Sequence, residues 1–287
     1  VQRVGPSTGL PTRTAQSDLS FAYTISHGDT QHILLLPGTV DECFEFGWKA
    51  FDVAERFQTP VLVLIDLDLG MNQWMTPAFQ YPDQPMDRGK ILWEDDLEKL
   101  LAERNGDWGR YLDIDGDGIP YRTVAGNRHP RSAYFTRGTG HDEYGRYNEE
   151  GDVWEQGMNR LAKKINGSRE LLPKPVLKKR DGAKIGIISA GSTDPAIIEA
   201  CDLLEADGIP VDYLRLRALP VCQQVLDFIK DHDCVYVVEM NRDGQLQQIL
   251  SLETPEHATR LKKVAHMDGF PLTAQWISSE IKAQEAK

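Results

Sequence analysis

The sequence is poor in cysteine, has no long apolar run and carries far less base than acid. Its four cysteines, Cys43, Cys201, Cys222 and Cys234, form no CxxC pair and sit in apolar stretches. Neither a structural zinc nor an iron–sulfur cluster can be held by the usual spacing, and buried thiols in a reducing, cytoplasmic compartment are expected. No apolar run approaches the ~20 residues of a membrane span, and the opening residues lack the charged-then-apolar pattern of a secretory leader. Lys and Arg total 32 against 44 Asp and Glu, a net charge of −12. Phosphate-backbone binding draws on clustered base, so a nucleic-acid partner is not expected, nor is a membrane. The acidic surface serves solubility or meets a basic partner subunit.

What is present begins at the first residue. Residues 1–19, VQRVGPSTGLPTRTAQSDL, mix Gly5, Ser7, Thr8 and Gly9 with Pro6 and Pro11, flanked by Arg3 and Arg13. Gly and Pro in alternation break both helix and strand periodicity. Exposed N–H groups, hydroxyls and two guanidinium groups suit a small carboxylate or phosphate. A plain surface loop with two solvated arginines fits the composition equally well.

At 40% hydrophobic content, 287 residues can bury two cores. Ile33 to Leu36 reads as a buried strand. Thr39 with Glu42 makes a capping box, and Val40, Phe44, Trp48 and Phe51 recur at helical spacing. Val61 to Ile65 is a second buried strand. Strand–helix–strand with apolar strands predicts a parallel sheet in an α/β layer. Asp66 and Asp68 fall at the carboxyl end of that strand, where such folds place ligands, although turn capping is the commoner use of Asp there. His27-Gly28-Asp29 reads as a solvated turn, with proton transfer as the functional alternative.

From about 73 to 172 the chain changes character, with much Asp, Arg, Gly and Tyr and little strand periodicity. Helices are predicted over Asp95 to Arg104 and Val153 to Asn166. Asp113, Asp115, Asp117 and Gly118 match the first half of a calcium loop, but Val124 stands where the bidentate Glu belongs. An Asx-rich turn is the main reading, with a bound Ca²⁺ or Mg²⁺ as the alternative. Arg137-Gly138-Thr139-Gly140-His141 is a second anion-friendly loop, and Glu143, Tyr144, Arg146 and Tyr147 beside it fit an interface or lid.

Residues 173–182 read as a linker, stiffened by Pro173 and Pro175. A compact αβ repeat follows over 183–287. Strands are predicted at Ile185 to Ser189, Val211 to Leu216 and Cys234 to Glu239. One helix opens after Gly191-Ser192-Thr193 with Asp194 as N-cap and Pro195 at the first position, and another spans Pro220 to Lys230. The Gly191–Ser192 turn lacks the spacings of phosphate loops and reads as structural.

Several long segments together now carry a resemblance: RVGPSTGLPTRTAQSDL, PGTVDECFEFGWKAFDVAERFQTPVLVLIDLDLG, DIDGDGIPYRT, YFTRGTGHDEYGRY, STDPAI, DYLRLRALP and VYVVEMNRDGQL. In this order they resemble the α subunit of the 2-oxoacid:ferredoxin oxidoreductases, in particular its 2-oxoglutarate (KorA-type) branch, over essentially the whole chain. The resemblance implies oxidative decarboxylation of a 2-oxoacid with coenzyme A, giving acyl-CoA, CO₂ and reduced ferredoxin. Thiamine diphosphate with Mg²⁺ would be shared with a β subunit that also carries the 4Fe-4S cluster, within a hetero-oligomer. The implied fold is a truncated pyrimidine-type thiamine-diphosphate-binding domain over 1–172, followed over 183–287 by a transketolase C-terminal-like α/β domain. Arg3 and Thr12 match the family's substrate residues, and Arg13 is a candidate for the distal carboxylate of a dicarboxylic substrate. The family's YPIT-type loop and activating Glu have no match in this sequence. The expectation is therefore a C-terminal portion of the subunit, inactive alone. Pyruvate or another 2-oxoacid is the alternative substrate, and a non-catalytic scaffold the alternative class.

Overall fold

The computed structural model describes residues 1–286. Its first half opens with β1 (Arg3–Val4) and β2 (Leu10–Thr14), which form an antiparallel hairpin, followed by α1 (Leu19–Tyr23). Next come β3 (Ile33–Leu35), α2 (Val40–Phe57), β4 (Val61–Val63) and α3 (Leu67–Met71). The irregular excursion carries α4 (Glu94–Glu103) and α5 (Gly151–Ser168). The second half runs β5 (Val176–Lys178), β6 (Ile185–Ala190), α6 (Asp194–Ala206), β7 (Val211–Leu216) and β8 (Ala218–Leu219). It closes with α7 (Gln223–Asp231), β9 (Cys234–Glu239), α8 (Gln245–Glu253), β10 (Leu261–Ala265) and α9 (Ala274–Glu285).

The larger sheet has the order β10-β9-β6-β7-β5, parallel except for β5. Its central strands β6 and β9 are mostly apolar on both sides because both faces are covered. Side chains of a strand alternate between faces. Ile187, Tyr213 and Tyr236 accordingly meet Ile197, Leu204 and Ile277 of α6 and α9. Ile188, Leu214 and Val237 meet Leu19 of α1, Val225 of α7 and Leu246 of α8. Parallel β3 and β4 repeat this logic in the smaller sheet. Leu34 and Leu36 enter the core shared with the second half, and Ile33 and Leu35 pack with Phe46, Phe57, Ile119 and Ile165. The excursion keeps a small core of its own around Leu92, Leu97, Leu101 and Trp108.

The structure corrects four local expectations. The supposed linker contains β5, which pairs antiparallel with β7 as an edge strand. The segment before α7 is not helical. Leu219 and Ala218 pair with Leu34 and Leu35, so β8 completes the order β4-β3-β8 from the far half of the chain, and the helix starts only at Gln223, after Pro220. Asp194 is not an N-cap. A 3-10 turn at Gly191–Thr193 feeds straight into α6, and the Asp194 carboxylate accepts from the Tyr213 hydroxyl at 2.8 Å. On α2 the core face is Phe46, Ala50, Val53 and Phe57, whereas Phe44 stacks on Phe79 of the excursion at 4.6 Å and Phe51 is exposed.

Glu42 also departs from its expected role. Its N–H donates to Thr39 Oγ1, but its carboxylate turns away from the cap. It accepts from the Gly38 N–H at 2.8 Å and takes Arg215 bidentately at 2.6 and 3.0 Å, with Arg217 Nε at 2.8 Å. Burial pushes this carboxyl up in pKa, but the two guanidinium groups and the Gly38 N–H outweigh it and hold the group below its ordinary value. A side chain on Gly38 would meet Arg215 Nη1 at 2.4 Å, so glycine is required for that approach. This ion pair, 5% and 7% exposed, bolts the two halves together.

Candidate functional site

The β1–β2 hairpin sits where the carboxyl ends of three strands converge. Gln2 bridges to Asp66 just beyond β4, through Gln2 N to Ile65 O at 2.7 Å and Leu67 N to Gln2 O at 2.9 Å. Gln16, just beyond β2, donates from Nε2 to Ala190 O at the end of β6, and its main-chain N–H donates to Met240 O beyond β9. Open α/β folds place ligands in such crevices. The turn itself needs glycine, since a Cβ on Gly9 would lie 2.1 Å from Val4 O.

Asp66 anchors the arrangement. Its Oδ1 accepts from Leu69 N and caps α3, in line with the capping reading. Its Oδ2 accepts from Gln16 Nε2 at 3.0 Å and from Ser192 N at 2.9 Å. The amide of the Gly191–Ser192 turn therefore serves the protein's own carboxylate, as a structural turn should. Both Asp66 and Gln16 are buried, so the hairpin root is a fixed platform.

On this platform the register jumps. Arg3 faces Thr14 while Val4 faces Leu10, which leaves Pro11, Thr12 and Arg13 bulged between the two pairs. Thr12 and Arg13 line a 200 Å³ cleft with Leu67, Asp68, Asn72 and Phe270. Arg3 lies on the neighbouring strand, outside that lining. Arg3 and Arg13 have no carboxylate within 4 Å among the described residues. Arg13 is instead held over the Phe270 ring at 4.5 Å, against Gly269. Burial raises the pKa of Asp68 at the cleft, with Ser192 pulling the other way and Asp66 adding to the rise. Sequence reasoning missed the contribution of Gly269 and Phe270. Nothing local marks a loop two hundred residues away as the second wall.

The other candidates lie apart from the hairpin. Asp115 and Asp117 close on the Lys90 ammonium at 2.6 and 2.8 Å, and Asp113 accepts from Gly118 N. The Lys90 ammonium thus sits against two of the three carboxylates, Asp113, Asp115 and Asp117, that the alternative reading gave to a Ca²⁺ or Mg²⁺ ion. His27 and Asp29 are exposed and make no hydrogen bond to each other. The Arg137–His141 loop folds onto Gly145 and Tyr111. Among the described residues no three His, Cys, Asp or Glu side chains converge as metal ligands, so this set does not fit the Mg²⁺–diphosphate end of thiamine diphosphate.

Residues 1–84 match the family profile described as pyruvate flavodoxin/ferredoxin oxidoreductase, thiamine diphosphate-binding. The α subunit of 2-oxoacid:ferredoxin oxidoreductase 2 from Aeropyrum pernix is 31% identical over 98% of this chain and 42% of its own length. The KorA subunit of 2-oxoglutarate synthase from Methanothermobacter thermautotrophicus is 31% identical over 76% of this chain and 54% of its own. The solved 2-oxoglutarate:ferredoxin oxidoreductase of Magnetococcus marinus, with 2-oxoglutarate, coenzyme A and succinyl-CoA bound, superposes with a TM-score of 0.84 at 28% identity. That match covers 99% of this chain and 47% of the other. By sequence and by fold the chain is similar to the α subunits of the 2-oxoacid:ferredoxin oxidoreductases. It spans about half the length of the relatives it matches. No helix among the described residues is long and apolar enough to cross a membrane.

Proposed function

We propose that this chain supplies the substrate-side wall of a 2-oxoacid:ferredoxin oxidoreductase that acts on 2-oxoglutarate. The carrying observation is a rigid hairpin at converging strand ends that presents two guanidinium groups, Arg3 and Arg13, with no protein carboxylate to neutralise them. The overall reaction joins 2-oxoglutarate and coenzyme A, releases CO₂ and a proton, forms succinyl-CoA, and passes the electron pair to ferredoxin. Thiamine diphosphate, when bound, supplies the carbanion chemistry. It is shared with a β subunit that brings its Mg²⁺ and the 4Fe-4S cluster, in a hetero-oligomer.

Arg3 holds the carboxylate next to the oxo group through its planar fork, whose geometry suits bidentate binding. Thr12 donates its hydroxyl to the same end of the substrate. Arg13, steadied over Phe270, meets the distal carboxylate, and this second cation favours a dicarboxylic acid over pyruvate. The cleft that Thr12 and Arg13 line with Asp68 and Phe270 walls off that end. The test is ferredoxin reduction by the full enzyme, assembled with its β subunit, on 2-oxoglutarate and pyruvate in the presence of coenzyme A. A clear preference for 2-oxoglutarate supports the reading, and equal or greater activity on pyruvate removes Arg13 from its role.

A further inference from the structure

A second cationic region lies in the excursion, away from the hairpin. Residues of α5 and of the 111–113 and 141–143 segments enclose a cavity of about 450 Å³, lined by Tyr111, Asp113, His141, Arg160 and Lys163 among others. Arg160 donates to Gly118 O at 3.0 Å. Behind it Lys164, 7% exposed, donates to Gln58 O, and Arg110 donates to Gln58 Oε1 at 2.7 Å. Every acceptor in that set is uncharged. Among the described residues Arg110, Arg160, Lys163 and Lys164 all lack a carboxylate within 4 Å, and Arg110 Nε is buried with no partner.

Several shielded cations elsewhere are paired, although the half-buried Arg137 and Arg260 also donate only to main-chain carbonyls. Arg215 and Arg217 meet Glu42, Arg169 meets Glu253, and Lys90 meets Asp115 and Asp117. A buried charge is normally paired, because desolvation without a counter-charge is expensive. Burial lowers the pKa of Lys164, and the adjacent Arg160 and Arg110 lower it further, so the cluster is under mutual repulsion. Asp113 and Glu143 at the cavity offset this only in part, since burial and Arg110 still hold the pKa of Arg160 below its ordinary value. Asp113 Oδ2 accepts from Gly118 N, Asp142 Oδ1 accepts from the amides of Tyr144 and Arg146, and Glu143 is exposed. Asp113 Oδ1 is buried and has no donor.

We propose that this cavity binds a phosphate-class dianion. Arg160 and Lys163 grip its oxygens, Arg110 and Lys164 supply field from behind, and the single O–H of a hydrogen phosphate donates to Asp113 Oδ1. Two unfilled needs of the protein, a missing counter-charge and a missing donor, are met by one ligand. The source is either free phosphate or the terminal phosphate of a nucleotide-bearing molecule such as coenzyme A.

The experiment is calorimetric titration of the full chain with inorganic phosphate, at constant ionic strength held with chloride. Wild type should bind saturably. Arg160→Gln and Lys163→Gln should each weaken binding at least about tenfold, the loss of one charge-assisted contact. Lys163 is exposed, so its variant tests the site even where Arg160→Gln disturbs the Gly118 turn. Competition then separates the sources. Displacement of phosphate by coenzyme A but not by its 3′-dephospho form identifies the terminal phosphate, and displacement by neither identifies free phosphate. Each result supports the site. Absence of saturable binding, or equal binding by wild type and Lys163→Gln, overturns it.

Discussion

Lys164 offers a quantitative handle on the cation cluster. Its ammonium is buried beside Arg160 and Arg110 and moves from the ordinary lysine value of 10.5 to about 8. The sign follows from proton counting. Between those values the unfolded chain binds a proton that the folded chain has lost, so stability rises with pH across that window. Below pH 8 both states are protonated and the full penalty is present. The shift amounts to about 3 kcal/mol at pH 7, falling to about 1 kcal/mol at pH 9.5, at about 1.4 kcal/mol per pH unit. Lys164→Met keeps the volume, removes the charge and gives up one hydrogen bond to Gln58 O, worth about 1 kcal/mol. The variant should therefore gain about 2 kcal/mol at pH 7, and its advantage should shrink by about 2 kcal/mol at pH 9.5. Denaturant unfolding in phosphate-free buffer at both pH values measures this. Parallel stability–pH curves for the two proteins would refute the reasoning, because the charge would then carry no differential cost.

The bolt between the halves gives two further predictions. Glu42→Ala leaves Arg215 buried without its carboxylate and should cost about 3–5 kcal/mol in denaturant unfolding. Since the Glu42 pKa is depressed in the fold, its contribution is complete above the ordinary value of 4.5 and fades as the pH falls through the lower folded value. The wild-type and Glu42→Gln curves should converge there, and an unchanged gap would contradict the assignment. Gly38→Ala forces a methyl into the Arg215 guanidinium and should destabilise by about 1–3 kcal/mol, read as a fall in Tm; a neutral outcome means the α2 entry shifts freely.

The sequence made the apolar strands readable because burial on both faces leaves β3, β6 and β9 mostly apolar, with Ser189 and Glu239 the polar exceptions toward the carboxyl ends of β6 and β9. Pro195 and the helix it opens were equally legible. What failed was long-range in origin. Ala218 and Leu219 pair with β3 from the far half of the chain, and no local pattern marks so short a strand just before the predicted helix. The α2 stripe misled because the excursion returns Phe79 to cover Phe44, giving the helix a second apolar contact. Asp115 and Asp117 resembled a metal loop because the cation they hold, Lys90, lies outside the motif. Arg3, Thr12 and Arg13 were visible as residue types, but the platform beneath them, Gln16, Asp66 and Ser192, exists only once the halves meet.

The central claim is that the opening hairpin holds the carboxylate of the 2-oxoacid. Arg3→Ala in the full enzyme, assembled with its β subunit, tests it most directly through kcat/KM for 2-oxoglutarate. Losing a charge-assisted, bidentate contact worth about 3 kcal/mol should lower kcat/KM about a hundredfold. An unchanged kcat/KM would contradict the account.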